Sequence, residues 1–191
     1  MTTAIRQRGG QPALADVREL VHSAVARLHF GDEPLCATGR FDIRRGSGVA
    51  VRLASTVLRL PPSARRVRLK LHIERDGKRE VWHRSFGGRS LDASFDHDES
   101  GQMIEGFGPL RLHYRMRAQQ GALVLELASV HLRLGPMAVR LPRWASPVVR
   151  ARAWVRDDDR LVHACIIVVA PWGDLLLAYR GCLDEVKSWT E

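Results

Sequence analysis

Lysine is scarce in this sequence. Of 30 basic residues in a chain of 191, only Lys70, Lys78 and Lys187 are lysines, so arginine carries the formal charge of +9. The arginines are scattered, many alternating with apolar residues, rather than gathered in one block. Recognition of nucleic acid needs clustered basic groups with exposed aromatics beside them. We therefore expect no nucleic-acid partner, although such a charge can attract an acidic one and equally suits solvated strand faces. Cysteine is also rare: Cys36, Cys165 and Cys182 are scattered and form no CxxC pair. That excludes a zinc ribbon or a thioredoxin-type centre and fits a reduced, cytoplasmic setting. The N-terminus, MTTAIRQRGGQP, lacks the apolar core of a signal peptide. The longest apolar run, Ala164–Trp172, is too short for a membrane span. GxSxG, HExxH and the dinucleotide fingerprint are all missing, and no further ligand joins His163 and Cys165. The expectation is a protein without metal or cofactor, with His163 and Cys165 as core residues.

What is present is a change of period. Residues 1–11 are polar and read as a flexible arm, and residues 12–191 as a single α+β domain. Leu14, Val17, Leu20, Val21, Val25 and Leu28 recur at helical spacing, which predicts one helix over Pro12–His29. Arg40–Ile43 reads as a short strand. A second helix is expected over Val49–Leu60, with Ser47 as N-cap and Pro61–Pro62 as its stop. From Val67 the pattern alternates: Val67, Leu69, Leu71 and Ile73 interleave with Arg68, Lys70, His72 and Glu74. Alternation recurs to Gly181, broken by turn signals such as Asp76-Gly77 and Gly87-Gly88. The tail from Leu183 reads as a short helix or a frayed end. The predicted architecture is a curved antiparallel β-sheet or barrel-like meander of about ten strands, with two helices near the N-terminus. Closure would remove exposed edges and leave an interior able to hold a small molecule.

The stretch REVWHRSFGG (79–88) is the most informative. As a strand it sets Glu80, Trp82, Arg84 and Phe86 on one face. Two aromatics with an acid and an arginine suit neither a plain core nor a solvated face, but do suit the wall of a partly polar pocket. Glu105 lies between Met103 and Phe107 on another face that should be buried, and Tyr114 follows on the next strand. If the strands are neighbours, Glu105 and Arg84 pair inside the sheet. The pair then serves either as an acid/base with an anion holder or as a structural ion pair that fixes register. The candidate catalytic residues are Glu105 and Arg84, and the candidate ligand-binding residues Glu80, Trp82, Phe86, Met103, Phe107 and Tyr114. His29 is either a polar pocket group or a dipole partner at a helix end. Trp144, Trp154, Trp172 and Trp189 read as core or rim packing.

The runs RRGSGVAVRLASTVLRLPP, REVWHRSFGG, EGFGPLRLHYRM, LPRWASP and APWGDLLLAYRGCL resemble the bacterial Domain of Unknown Function 4166 family over roughly His29 to Leu183. The most specific parts are Trp82-x-Arg84-x-Phe86-Gly87-Gly88 and Tyr179-Arg180-Gly181. Members occur alone or fused behind oxidoreductases of the saccharopine-reductase or short-chain-dehydrogenase type. The resemblance therefore implies work on or beside small metabolites, with a separate oxidoreductase as a possible partner. Three functions are expected from sequence: binding of a small hydrophobic or amphipathic metabolite, a metal-independent isomerase or cyclase using the same cavity, or an accessory subunit of a reductase.

Overall fold

Alternating side chains that are apolar inward and charged outward need a surface curved around one interior. The strand β2 (Ala64–Asp76) buries Leu69, Leu71 and Ile73 while Arg68 and Lys70 face out. In the computed structural model, which describes residues 14–77, 79–97 and 102–188, this alternation builds a sheet that closes on itself. From β2 the sheet runs through β3 (Arg79–Phe86), β5 (Ala93–His97), β6 (Met103–Phe107), β7 (Leu110–Gln119) and β8 (Ala122–Leu134) by antiparallel neighbours. On its other side lie β1 (Leu35–Arg44), β12 (Leu175–Ser188), β11 (Val162–Val169) and β10 (Val148–Val155). Pairing of β10 with β8, from Arg150 opposite Glu126 to Ala153 opposite Leu123, closes a ring of ten strands. Two short strands lie off the ring: β4 (Arg89–Ser90) beside β3, and β9 (Met137–Arg140) beside the far half of β8.

Of the two forms expected, a curved antiparallel sheet or a barrel-like meander, the closed form is present, with helices near the N-terminus and differences in detail. The first helix is two: α1 (Leu14–Leu20) and α2 (Ser23–Phe30). Val21 between them bridges to Gly121, and the His22 amide donates to the Gly121 carbonyl at 2.9 Å. The ring nitrogen Nδ1 of His22 then caps α2 by accepting from the Ala24 amide. A helical period continued across this break because both halves bury the same face, Val17, Val21, Val25 and Leu28. These side chains and Phe30 join the barrel core and cover one end.

The third helix, α3 (Val49–Val57), sits between β1 and β2 at the opposite end. Its N-cap is Gly48, which has no side chain to donate or accept, and not Ser47. It stops before Leu60 because Arg59 takes a left-handed backbone, φ 52°. Strand β1 is ten residues long rather than four, and paired on both sides. The tail after Leu183 is neither helical nor frayed: β12 continues through Ser188 against Leu35–Thr38, past a bulge at Thr38/Gly39. The expected arm of residues 1–11, Lys78, the turn at 98–101 and Trp189 lie outside the described residues.

One glycine shows how tightly the barrel wall is drawn. Gly181 pairs with Phe41. A Cβ there would lie 2.0 Å from the Arg40 carbonyl oxygen and 2.6 Å from Phe41 Cγ. The first contact is backbone and cannot swing away. Gly181→Ala should therefore destabilise the barrel by about 3 kcal/mol, the upper part of the overpacking range, as read by urea unfolding. The same change at Gly88, where φ is 89° but nothing lies within 4 Å, should cost only about 1 kcal/mol from backbone strain.

Candidate functional site

A run of neighbouring strands, β3, β5, β6 and β7, carries most of the site because direct partners in an antiparallel sheet point to the same side. Trp82 on β3 faces Ala93 on β5, Phe95 on β5 faces Glu105 on β6, and Met103 on β6 faces Tyr114 on β7. Of these inward positions, Trp82, Phe95, Glu105, Met103 and Tyr114 line an interior space of about 200 Å³. Its walls are overwhelmingly aliphatic and aromatic, among them Leu71, Leu112, Leu123, Ile166 and Leu177. A dry engineered cavity of ~150 Å³ accepts a benzene-sized guest, so this space is large enough for a small apolar group.

Four polar side chains cross the space. Arg84 on β3 donates from Nη1 to Tyr179 Oη on β12 at 3.1 Å, and from Nη2 to Glu105 Oε1 at 3.4 Å. Its Nε donates to the Leu91 carbonyl at 3.0 Å, which fixes the plane of the guanidinium. Tyr114 on β7 donates to Glu105 Oε2 at 2.7 Å. Both carboxylate oxygens and three guanidinium nitrogens are thus engaged. This satisfies most of what burial would otherwise penalise.

The environment sets the charges. Burial works against the Arg84 cation, but Tyr179 and Glu105 outweigh it and push its pKa above the ordinary value. Burial, then the Glu105 carboxylate, raises Tyr114 well above the usual phenol range. Burial also raises Tyr179, against an opposing pull from Arg84. At neutral pH both phenols hold their protons beside a charged guanidinium.

A second cluster lies toward the end covered by α2. Glu80 Oε2 accepts from Trp82 Nε1 at 2.9 Å, and Glu80 Oε1 forms an ion pair with Arg75 Nε at 3.3 Å. The Arg75 guanidinium also donates to the carbonyls of Leu28, at 2.6 Å, and of Glu33, so it holds the C-terminal end of α2 to the barrel. His29, in the last turn of α2, lies over the Trp82 ring with centroids 5.1 Å apart. Burial, then the Arg75 charge, lowers its pKa from 6.5 to about 4.

The structure thus brings Trp82, Arg84, Met103, Glu105, Phe107 and Tyr114 to one space, as their shared faces implied. Glu80 and Phe86 do not line it. The Glu80 carboxylate is drawn to Arg75, while Phe86 packs against Phe41 and Tyr179. His163 and Cys165 are not core residues either. They face outward on β11, where His163 meets Asp159 at 2.9 Å and stacks on Trp154. Sequence reading missed Tyr179 and Arg75 as partners. A signal for the first existed: the chain has only two tyrosines, and both join this network.

The fold and site together define a closed antiparallel barrel with an apolar lumen crossed by a fixed Arg–Glu–Tyr–Tyr network. The chain belongs to the family described as Domain of unknown function (DUF4166), whose model matches residues 21–183. None of the curated proteins compared with it matches the chain.

His29 gives the barrel a pH dependence with a definite sign. Its folded pKa of about 4 lies below the unfolded 6.5, so between these values the unfolded chain binds the proton and the native state does not. Stability is therefore full above about pH 6.5 and falls toward pH 4, by about 1 kcal/mol per pH unit. Replacing His29 with Leu should flatten this part of the stability–pH curve, measured by urea unfolding at pH 7.0, 5.5 and 4.5.

Proposed function

We propose that the barrel binds one small hydrophobic or amphipathic molecule in its lumen, with its apolar body against the aliphatic walls and a polar group on the Arg84–Glu105–Tyr114–Tyr179 network. The observation that carries this reading is the pairing of an apolar space of about 200 Å³ with one preorganised polar cluster. Binding sites for small molecules combine mostly apolar walls with a few fixed polar groups in this way. Tyr179 accepts from Arg84, which leaves its own proton to donate into the lumen. A hydroxyl, carbonyl or carboxylate on the guest would be the acceptor. The three free thiols fit a reducing compartment, and the cytoplasm is the setting this reading adopts.

The hydrogen bond of 2.7 Å between Tyr114 and Glu105 favours a second reading. A phenol held protonated beside a carboxylate is a ready proton donor and acceptor pair. The same lumen would then serve a cofactor-free isomerase or cyclase, with Glu105 as acid/base and Arg84 holding developing negative charge. A role beside a separate reductase is compatible with either reading.

Native mass spectrometry of the purified protein tests the proposal. A copurified molecule of small mass is expected, released on unfolding. Glu105→Gln and Tyr179→Phe should each remain folded, with losses of about 1–3 kcal/mol, and should hold that molecule at least about tenfold less tightly. Purification without any guest, together with no binding across a panel of fatty acids, isoprenoids and aromatic acids, would refute it. Conversion of the bound molecule by the native protein but not by Glu105→Gln would select the enzyme reading.

A further inference from the structure

The end of the barrel that carries α3 exposes apolar side chains that the fold does not use. Val51 and Ser55 form the buried face of α3, and Val51 packs on Ala170 and Leu176 at the β11–β12 turn. The opposite stripe, Val49, Leu53 and Val57, follows the same four-residue spacing and is 75%, 68% and 73% exposed. Trp172, on the turn against which α3 packs, is 53% exposed. Topology places the β8–β9 hairpin and the segment before β10 at this same end. There Leu134 and Met137 are exposed and Trp144 is 80% exposed. This corrects the expectation that Trp144 and Trp172 serve core or rim packing.

The charge at this end has one dominant sign. Arg44, Arg52, Arg59, Arg89, Arg133 and Arg143 are exposed on elements at this end. The acids at this end are Asp42, Asp92 and Asp174, and each already has a local partner. Asp42 accepts from the Arg66 amide at 2.7 Å, Asp174 from Trp172 Nε1 at 2.9 Å, and Asp92 lies 3.6 Å from His83. An aliphatic stripe, two tryptophans and several exposed arginines are the side chains that settle at an anionic bilayer surface.

We propose that the α3 end of the barrel docks on the surface of an anionic lipid bilayer, with Val49, Leu53, Val57 and the two tryptophans entering the interfacial layer and the arginines meeting lipid phosphates. The apolar tips come from separate elements at one end of a closed barrel, so they form a set of projections rather than a groove for a peptide. Charge complementarity selects lipid that is negatively charged. The proposal is one of surface docking; no helix of the described residues is long and apolar enough to cross a membrane. The placement also has a consequence for the lumen. Leu58 and Leu60, just after α3, and Leu176 behind it line the interior space. A bilayer met by α3 would therefore lie at the end of an apolar chamber, whatever molecule the chamber takes.

Flotation of the full-length protein with phosphatidylcholine vesicles, with and without phosphatidylglycerol, provides the test. Binding is expected to the phosphatidylglycerol vesicles only, weakened by raised salt, with a blue shift of tryptophan emission. The exposed substitutions Leu53→Asp and Val57→Asp should leave the unfolding midpoint unchanged and weaken vesicle binding at least about tenfold. Arg52→Glu with Arg59→Glu should do the same. Failure to bind either vesicle overturns the proposal. So does binding that Leu53→Asp and Val57→Asp leave intact, because charge alone would then explain it. If the protein ignores vesicles but forms a dimer that Leu53→Asp dissociates, the face belongs to a second copy and the proposal is equally overturned. Loss of vesicle binding leaves the guest found by native mass spectrometry unaffected, so the two readings fail separately.

Discussion

The contact on which the interior depends is the one between Arg84 and Glu105. An unpaired arginine or carboxylate inside an apolar barrel would cost several kcal/mol. Here each charge is answered by the other, and each is also held by a phenol. The network reaches from β12 to β7, so its members come from well-separated strands of the ring. Aliphatic side chains cannot fill the space around such a rigid crossing without stranding polar atoms. The lumen consequently keeps about 200 Å³ of apolar room beside a polar cluster. Space and polar cluster have one cause.

The rest of the molecule holds this arrangement in place. Arg75 ties the end of α2 to β3 through Glu80 and three backbone carbonyls, those of Arg27, Leu28 and Glu33, which fixes one cover of the barrel. That cover also places His29 on Trp82 as a neutral ring. At the other end α3 closes against the β11–β12 turn with only Val51 and Ser55 fully buried. One end is tied by the Arg75 network, and the other by this small apolar contact together with hydrogen bonds flanking α3, from the Gly46 amide to the Leu175 carbonyl and from the Arg45 amide to Ser63 Oγ.

Much of the wall was legible in the sequence because a strand has only two faces. Trp82, Arg84 and Phe86 had to share one, and Glu105 had to share one with Met103 and Phe107. What lay beyond local pattern was closure. Tyr179 stands 95 residues from Arg84 in the chain, and only the β8–β10 pairing that completes the ring brings β12 round to face β7. Glu80 misled because its face is shared with Trp82, while its carboxylate answers to Arg75 on the neighbouring strand. The break at Val21 was hidden by a hydrophobic period that runs unbroken through both short helices. Exposure of Trp144 and Trp172 was hidden for a different reason: composition says that tryptophan tends to be buried, but nothing local says where an end of a barrel meets solvent.

The central claim is that the Arg84–Glu105 crossing exists to receive a molecule rather than to hold the barrel together. Replacing the whole network at once, Arg84→Met and Glu105→Leu with Tyr114→Phe and Tyr179→Phe, separates these roles and leaves neither phenol without its partner, because a buried ion pair exchanged for apolar groups of similar volume is commonly neutral or stabilising. The measurement is the urea midpoint of this variant together with its retention of the copurified guest. The account predicts a midpoint close to or above that of the native protein and loss of the guest. A variant that fails to fold, or one that folds and retains the guest undiminished, would contradict it.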